Sequence, residues 1–281
     1  MQQLTVMLPQ SYASDVPGLR EATIRVGFVG RVLATFRVDQ LLLYPDSKEK
    51  SYLRNADFIR EVLDYLNTAP YLRKRLYPLK PSLRYAGLLP PLNIPTHPEA
   101  VSAKTSGTHH RQALVISSGQ TSLLEAGLGG PLKIRGKLPK NSVVVLRVKV
   151  ANRRVKYKVV SKRSKEVYNG FRTRIVDSLE AALQQFDYRV ATSRLGEPVT
   201  QVFDKLSMAL KSANRACVVF GASDRGLHKI VEELGLDYGS LFNITVNTVP
   251  EQGVKTIRTE EALAYTLAVL NLAARMQRAG V

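Results

Sequence analysis

Two stretches toward the carboxyl end carry the residue types most able to do chemistry. One is Val218-Val219-Phe220 followed by Gly221-Ala222-Ser223-Asp224-Arg225-Gly226-Leu227. A second is an apolar run ending in Asn247-Thr248-Val249-Pro250-Glu251-Gln252-Gly253, after which Thr256-Ile257-Arg258-Thr259-Glu260-Glu261 opens the last helix. Strands that end in neighbouring glycine-containing loops can hold a small polar ligand with backbone N–H and C=O groups, because glycine lets the backbone approach closely. A cofactor site is therefore expected here.

Other chemistries lack their residues. No G-x-x-x-x-G-K-[ST] loop, no G-x-G-x-x-G after a strand and no Gly-x-Ser-x-Gly elbow with a histidine partner is present. His109-His110 fall in a polar stretch, read as a loop, without a second ligand cluster, so no metal site is expected. A single cysteine, Cys217, excludes an intrachain disulfide and a cysteine-rich zinc site, and its apolar strand suggests buried packing.

The 281 residues suffice for one large domain or two ordinary ones, and 44% hydrophobic residues suffice for a core. Lys and Arg number 41 against 23 Asp and Glu, a net charge of +18 that points to a polyanionic partner such as RNA. Much of the excess is concentrated. Between Pro90 and Glu166 lie 15 Lys/Arg and only three acids, Glu99, Glu125 and Glu166. No apolar run is long enough to span a membrane, and the first residues lack a basic flank and apolar signal core. A soluble, cytoplasmic protein is expected.

The elements that must position these residues can be read from periodicity. Over residues 1–88 the chain reads as the first part of an α/β domain. It has a strand at Leu4–Leu8, a helix at Ile24–Phe36, a strand at Val38–Tyr44 and an amphipathic helix at Ser51–Leu66 closed by Pro70. Residues 89–166 change character. Leu132–Arg135, Val143–Val150 and Val155–Val160 alternate with period two between glycine-rich turns, the pattern of a small all-β barrel. Lys133, Arg135, Arg147, Lys149, Lys156 and Lys158 would form its basic RNA-binding face, with Tyr157 as a stacking platform; an ordinary solvated sheet face is the alternative. Residues 167–281 return to α/β, with strands at Arg172–Val176, Tyr188–Thr192, Ala216–Phe220 and Leu241–Val246. The last helix is expected to start at Thr259 as its N-cap. The β-rich part therefore reads as an insertion into one α/β domain.

The whole pattern resembles the SPOUT superfamily of RNA methyltransferases, in the archaeal and eukaryotic branch that carries an inserted oligonucleotide-binding (OB)-like domain. The resemblance rests on Thr192–Gly196, Phe220-Gly221 with Asp224–Leu227, Asn247-Thr248 with Gln252-Gly253, and Thr256–Ala262. It extends to Tyr71–Lys74 and Tyr85–Leu88. It implies a trefoil-knotted α/β domain, a homodimer, and S-adenosylmethionine held among three loops, those after Thr192, Phe220 and Asn247. Thr192, Ser193, Arg194, Gly196, Phe220, Gly221, Gly226, Asn247, Thr248, Val249, Gln252, Gly253, Thr256 and Ile257 would form that site. Gly221, Val249, Gly253 and Ile257 could supply an apolar slot for adenine. Asn247 and Thr248 could fix the loop or bond the ribose, and Arg194 could reach a carboxylate or phosphate; each could instead cap or turn the chain. The run Val29–Asp39 is similar to the superfamily's first motif and makes Arg31 the candidate catalytic cation, with phosphate binding or an ion pair as alternatives. The asparagine usual upstream in that motif is missing. The implied substrate is ribosomal RNA, methylated on a base nitrogen such as uridine N3, or else on a ribose 2′-hydroxyl. A non-catalytic RNA-binding or assembly factor with the same fold is the alternative.

Overall fold

The structure is a computed structural model that describes residues 3–47, 52–98, 107–151, 154–160 and 167–275. The chain begins with β1 (Gln3–Pro9), α1 (Leu19–Thr35), β2 (Gln40–Tyr44), α2 (Leu53–Asn67) and α3 (Pro70–Leu76). Five strands follow: β3 (Gly107–Ser117), β4 (Thr121–Glu125), β5 (Leu132–Arg135), β6 (Val143–Ala151) and β7 (Arg154–Val159). Strands and helices then alternate through β8 (Arg172–Ile175), α4 (Leu179–Leu183), β9 (Tyr188–Pro198), α5 (Val199–Ser212) and β10 (Arg215–Val219). The chain closes with α6 (Leu227–Glu233), α7 (Tyr238–Leu241), β11 (Ile244–Asn247) and α8 (Thr259–Arg275).

Two compact units result. Met1–Leu63, Tyr85–Pro90 and Phe171–Val281 form one; Asp64–Arg84 and Pro91–Gly170 form the other. The second unit thus also takes in 64–84, a stretch that sequence reading places in the α/β part.

The first unit is a six-stranded sheet in the order β11-β9-β10-β1-β2-β8, with every pair parallel. β1, β2 and β10 are buried along all but their first residue, as continuous apolar strands covered on both faces must be. Met7, Leu42, Cys217 and Val219 face one layer, where Leu183, Ile230 and Leu241 of the short helices pack. α8 packs against both α1 and α5. Burial pushes the Cys217 thiol well up, so it is a packing residue. The chain leaves β1 toward β2 on one side and returns to β10 on the other. Ligand crevices form outside the carboxyl ends of strands at such a switch point.

The second unit is an antiparallel sheet in the order β5-β4-β3-β6-β7. Its core is built from alternate residues, among them Val115, Leu124, Leu146 and Val148. A buried polar cluster ties Asn67, Ala69 and His97 to β3. Gln112 accepts from Ala69 N at 2.8 Å and donates to Asn67 O at 2.9 Å, and His97 Nε2 meets the same carbonyl at 2.8 Å.

Several elements differ from the sequence reading. α1 starts at Leu19 rather than Ile24, behind Gly18, which offers no capping side chain. Pro70 does not merely close α2; it opens α3 at a position where its missing N–H costs nothing. His109 and His110 lie in β3, not in a loop. The strand read as ending at Thr192 runs on to Pro198.

Candidate functional site

The three predicted loops converge at the carboxyl ends of β9, β10 and β11. Between them is a cavity of about 410 Å³, within the roughly 300–1,000 Å³ typical of small-ligand sites. Every predicted cofactor residue lines it except Gly196 and Gly253.

The first wall is an arch rather than a loop. β11 pairs with β9 at Thr245↔Ala191 and then at Val246↔Glu197, so Thr192–Gly196 bows out of the ladder. Gly196 closes the arch against β11, where an added Cβ would lie 2.8 Å from the Thr245 carbonyl. That backbone crossing, not a ligand, explains the glycine. Thr192 Oγ1 donates to Val219 O at 2.9 Å and fastens the arch to β10.

The second wall is the loop from Phe220 to Gly226. A Cβ at Gly221 would sit 2.9 Å from both Arg225 O and Leu227 N, so this turn admits only glycine. Gly226 differs. It is extended, at φ −65° and ψ 159°, and its Cβ position has no atom within 4 Å. Its backbone faces open cavity.

The third wall runs from Asn247 into α8. Asn247 Nδ2 donates to Arg194 O at 3.0 Å, and Oδ1 accepts from Val249 N at 3.0 Å. Thr248 pairs its hydroxyl with Thr266 at 2.9 Å. Of the two roles open to Asn247 and Thr248, the structure realises loop fixing. Gln252 Nε2 donates to Val254 O at 2.8 Å, and Arg194 Nη1 donates to Lys255 O at 3.0 Å, which ties this wall to the arch. Glu251 turns the loop at φ 58°, a left-handed conformation that costs a non-glycine residue about 1–2 kcal/mol.

Thr259 is not the N-cap of α8. Glu261 instead reaches back to accept from Arg258 N at 2.9 Å, half of a capping box that makes Arg258 the cap. The Thr259 hydroxyl points to Gly221 O at 3.4 Å and bridges the second and third walls.

Two buried ionic clusters hold this floor, and sequence reading missed both. Asp46, fully buried after β2, accepts from Ser11 N at 3.1 Å and from Arg225 Nη2 at 2.8 Å. Arg225 also donates to Asp46 O at 3.0 Å and to Glu233 at 2.8 Å. Burial alone would lower the Arg225 pKa, but the Glu233 bond and the Asp46 charge raise it above its ordinary value. Tyr44, buried beside this pair, donates to Phe220 O at 2.6 Å, and burial with the Asp46 charge holds its phenol protonated. In the second cluster, Glu260 accepts from Arg25 Nε at 2.9 Å and Nη2 at 3.0 Å, while Tyr12 caps the pair. Glu260, an acid in the first turn of α8, is therefore also a structural anion.

With this geometry, similarity to known proteins becomes informative. The family described as "Putative RNA methyltransferase" matches residues 3–270. The chain belongs to this family. An uncharacterised protein of Haloarcula marismortui is 34% identical over 95% of this chain and 98% of its own. The 28S rRNA (uridine-N(3))-methyltransferases of Mus musculus and Homo sapiens are each 28% identical over 95% of this chain, covering 75% and 77% of theirs. A solved probable methyltransferase from Bordetella pertussis aligns with a TM-score of 0.40 at 12% identity, over 97% of this chain and 96% of that one. The resemblance to SPOUT RNA methyltransferases holds.

For an RNA methyltransferase, the other predicted residues fall in two places. Arg31 is exposed on α1 and is not part of the cavity wall. The basic residues lie on the antiparallel sheet, where Arg147 stands directly opposite Lys158, and Lys149 opposite Lys156. All four are exposed, as are Lys133 and Arg135 on β5. Tyr157 is corrected. It pairs with Val148 on the opposite, core-facing side, and its hydroxyl donates to Lys133 O at 3.1 Å. Side chains alternate along a strand, so a residue between Lys156 and Lys158 cannot share their face. Among the described residues no group of three or more His, Cys, Asp or Glu is set to hold a metal, and no helix is long and apolar enough to cross a membrane.

Proposed function

We propose that this RNA methyltransferase uses S-adenosylmethionine to methylate a base nitrogen of ribosomal RNA, uridine N3 in particular. The observation that carries the reading is one cavity walled by three loops whose own hydrogen bonds hold them open. Open backbone at Gly226, apolar Val249 and Ile257, and the cations Arg194 and Lys255 suit an adenosine joined to an amino-acid end. The N3 assignment is supported by the names of the mammalian relatives.

When bound, S-adenosylmethionine supplies an electrophilic methyl group on a sulfonium. The chain's part is alignment. Thr192, Asn247 and Thr259 fix the three walls relative to one another through backbone carbonyls, and the Asp46–Arg225 pair locks the second wall to β2.

A homodimer belongs to the same proposal. Ile24 and Phe28 on α1, and Tyr265 and Leu272 on α8, are exposed apolar side chains on two helices that pack together. Arg31 lies three residues beyond Phe28 on that stripe, so a second copy docked there could receive it at its cavity. The trefoil knot expected of the superfamily rests on the family match, and a cytoplasmic site of action is part of the same proposal. An OB-like barrel is supported by the strand order, which is that of an OB-fold, and by the Tyr157–Lys133 bond between the two edge strands. Its facing cations support RNA as what it grips.

The test is nucleoside mass spectrometry of ribosomal RNA incubated with purified protein and S-adenosylmethionine. 3-Methyluridine is the expected product. Methyl on a ribose would move the acceptor, and no methylated nucleoside would reject the enzymatic reading.

A further inference from the structure

We propose that the strap Tyr77–Arg84 of the second unit is a separate RNA-contacting element, with Leu79 as a wedge that enters a base stack. This rests on the RNA-methyltransferase reading and goes beyond it. From Pro70 to Arg84 the chain carries five basic residues, Arg73, Lys74, Arg75, Lys80 and Arg84, and no acid. Lys74, Arg75, Lys80 and Arg84 are exposed. At its tip Leu79 is 106% exposed, more than any other large apolar side chain described. A lone exposed leucine needs no explanation by itself. This one stands at the tip of a cationic loop whose shape is set in advance.

The presetting is local. Pro78 and Pro81 fix two φ angles, and the residue before each proline is confined to extended backbone. Tyr77, at φ −121° and ψ 105°, and Lys80, at φ −133° and ψ 144°, obey that restriction. The root is anchored as well. The Tyr77 ring meets Tyr65 edge-on at 5.2 Å, and its hydroxyl lies 3.3 Å from Thr68 Oγ1. Arg73 lies over the Tyr65 ring at 4.6 Å and donates to Thr68 O at 2.9 Å and Leu66 O at 3.2 Å, so it braces the strap.

The chemistry of the acceptor calls for such a part. N3 lies on the Watson–Crick edge, so a paired or stacked uridine must leave its stack before it can be methylated. Apolar side chains, leucine among them, serve as wedges between base steps, while neighbouring Lys and Arg hold the phosphates. The charge favours RNA over a protein groove as the occupant.

The experiment uses the full chain and two probes, a short RNA hairpin with 2-aminopurine in its stem and an unstructured polyuridine strand. Leu79→Ala should bind polyuridine as the wild type does but lose most of the 2-aminopurine fluorescence gain on the hairpin. Lys74→Ser/Lys80→Ser/Arg84→Ser should weaken both probes roughly tenfold and lower the slope of log affinity against log salt by about 2–3. Hairpin fluorescence unchanged in Leu79→Ala would overturn the wedge, and affinities unchanged in the triple variant would overturn the strap as an RNA contact. Loss of a ribosomal-protein contact with naked-RNA binding intact would also overturn it, in favour of a protein partner. Calorimetry with S-adenosylmethionine and no RNA keeps the outcomes apart: the cofactor site should be untouched by every strap variant, whatever the strap does.

Discussion

The loop cavity of the α/β unit and the outer face of the antiparallel sheet both carry strong charge, and they treat it in opposite ways. Behind the cavity walls two arginines are matched within the chain. Arg225 meets Asp46 and Glu233, and Arg25 meets Glu260 and Asp15, all at 2.8–2.9 Å. On the sheet, cation faces cation across β6 and β7. Like charges directly opposite in a ladder are destabilising unless something else neutralises them. Internal matching fixes a shape, and cross-strand repulsion leaves a field for a polyanion. Under the proposed function, one region receives a small ligand and the other grips RNA.

The largest effect should come from breaking the matched side. Asp46→Ala leaves Arg225 and the Ser11 N–H without their buried partner and should cost about 3–5 kcal/mol in denaturant unfolding. A cost near that of a surface mutation would mean that the pair does not hold the second wall.

A pH titration sharpens the contrast from within the second unit. Burial, aided by the Arg73 charge, depresses His97 from 6.5 to about 4. The folded form keeps it neutral while the unfolded chain takes up a proton below pH 6.5. Stability from this group is present above pH 6.5 and is lost as pH falls toward 4, by roughly 3 kcal/mol in all. Thermal midpoints measured between pH 7.5 and 4.5 should fall more steeply in the wild type than in His97→Gln. Equal slopes would refute the assignment.

On the sheet, replacing Arg147, Lys149, Lys156 and Lys158 with serine should weaken RNA binding at least tenfold and reduce the salt slope by about 3. The same variant should unfold no more easily than wild type, because repelling pairs are removed. Unchanged RNA binding would erase the distinction between the two regions. The smallest effect is expected at Thr259→Ala, which removes the bridge to Gly221 at a cost of about 1 kcal/mol, seen as severalfold weaker cofactor binding. The helix start should survive, since Arg258 and Glu261 make the cap.

How much of this could be read in the sequence depended on range. The buried strands β1, β2 and β10 announce themselves as apolar runs, and β6 by its alternation from Leu146 onward, because each signal lies within a few residues. Two of the three converging loops were legible as glycine-containing strand ends, and the third entered through the family resemblance. The Asp46–Arg225 pair was not, since its members lie 179 positions apart and neither stands in a local pattern. Pro70 was ambiguous, because proline both ends one helix and starts the next. Tyr157 was a misreading: alternation with Lys156 and Lys158 already placed it on the core face. Gly196 and Gly221 stand out in the sequence, and the structure adds a reason for each that no local pattern shows. Each is glycine because neighbouring backbone crowds it, whereas Gly226 alone of the lining glycines looks onto open space.

That difference supplies the most direct measurement. Isothermal titration of S-adenosylmethionine should show one saturable site per chain in the wild type. Gly226→Val should abolish it while keeping the thermal midpoint within a few degrees, since φ −65° accepts a side chain and the space it enters is empty. No heat in the wild type at millimolar cofactor, or binding undiminished in Gly226→Val, would contradict the placement of the methyl donor among the three loops.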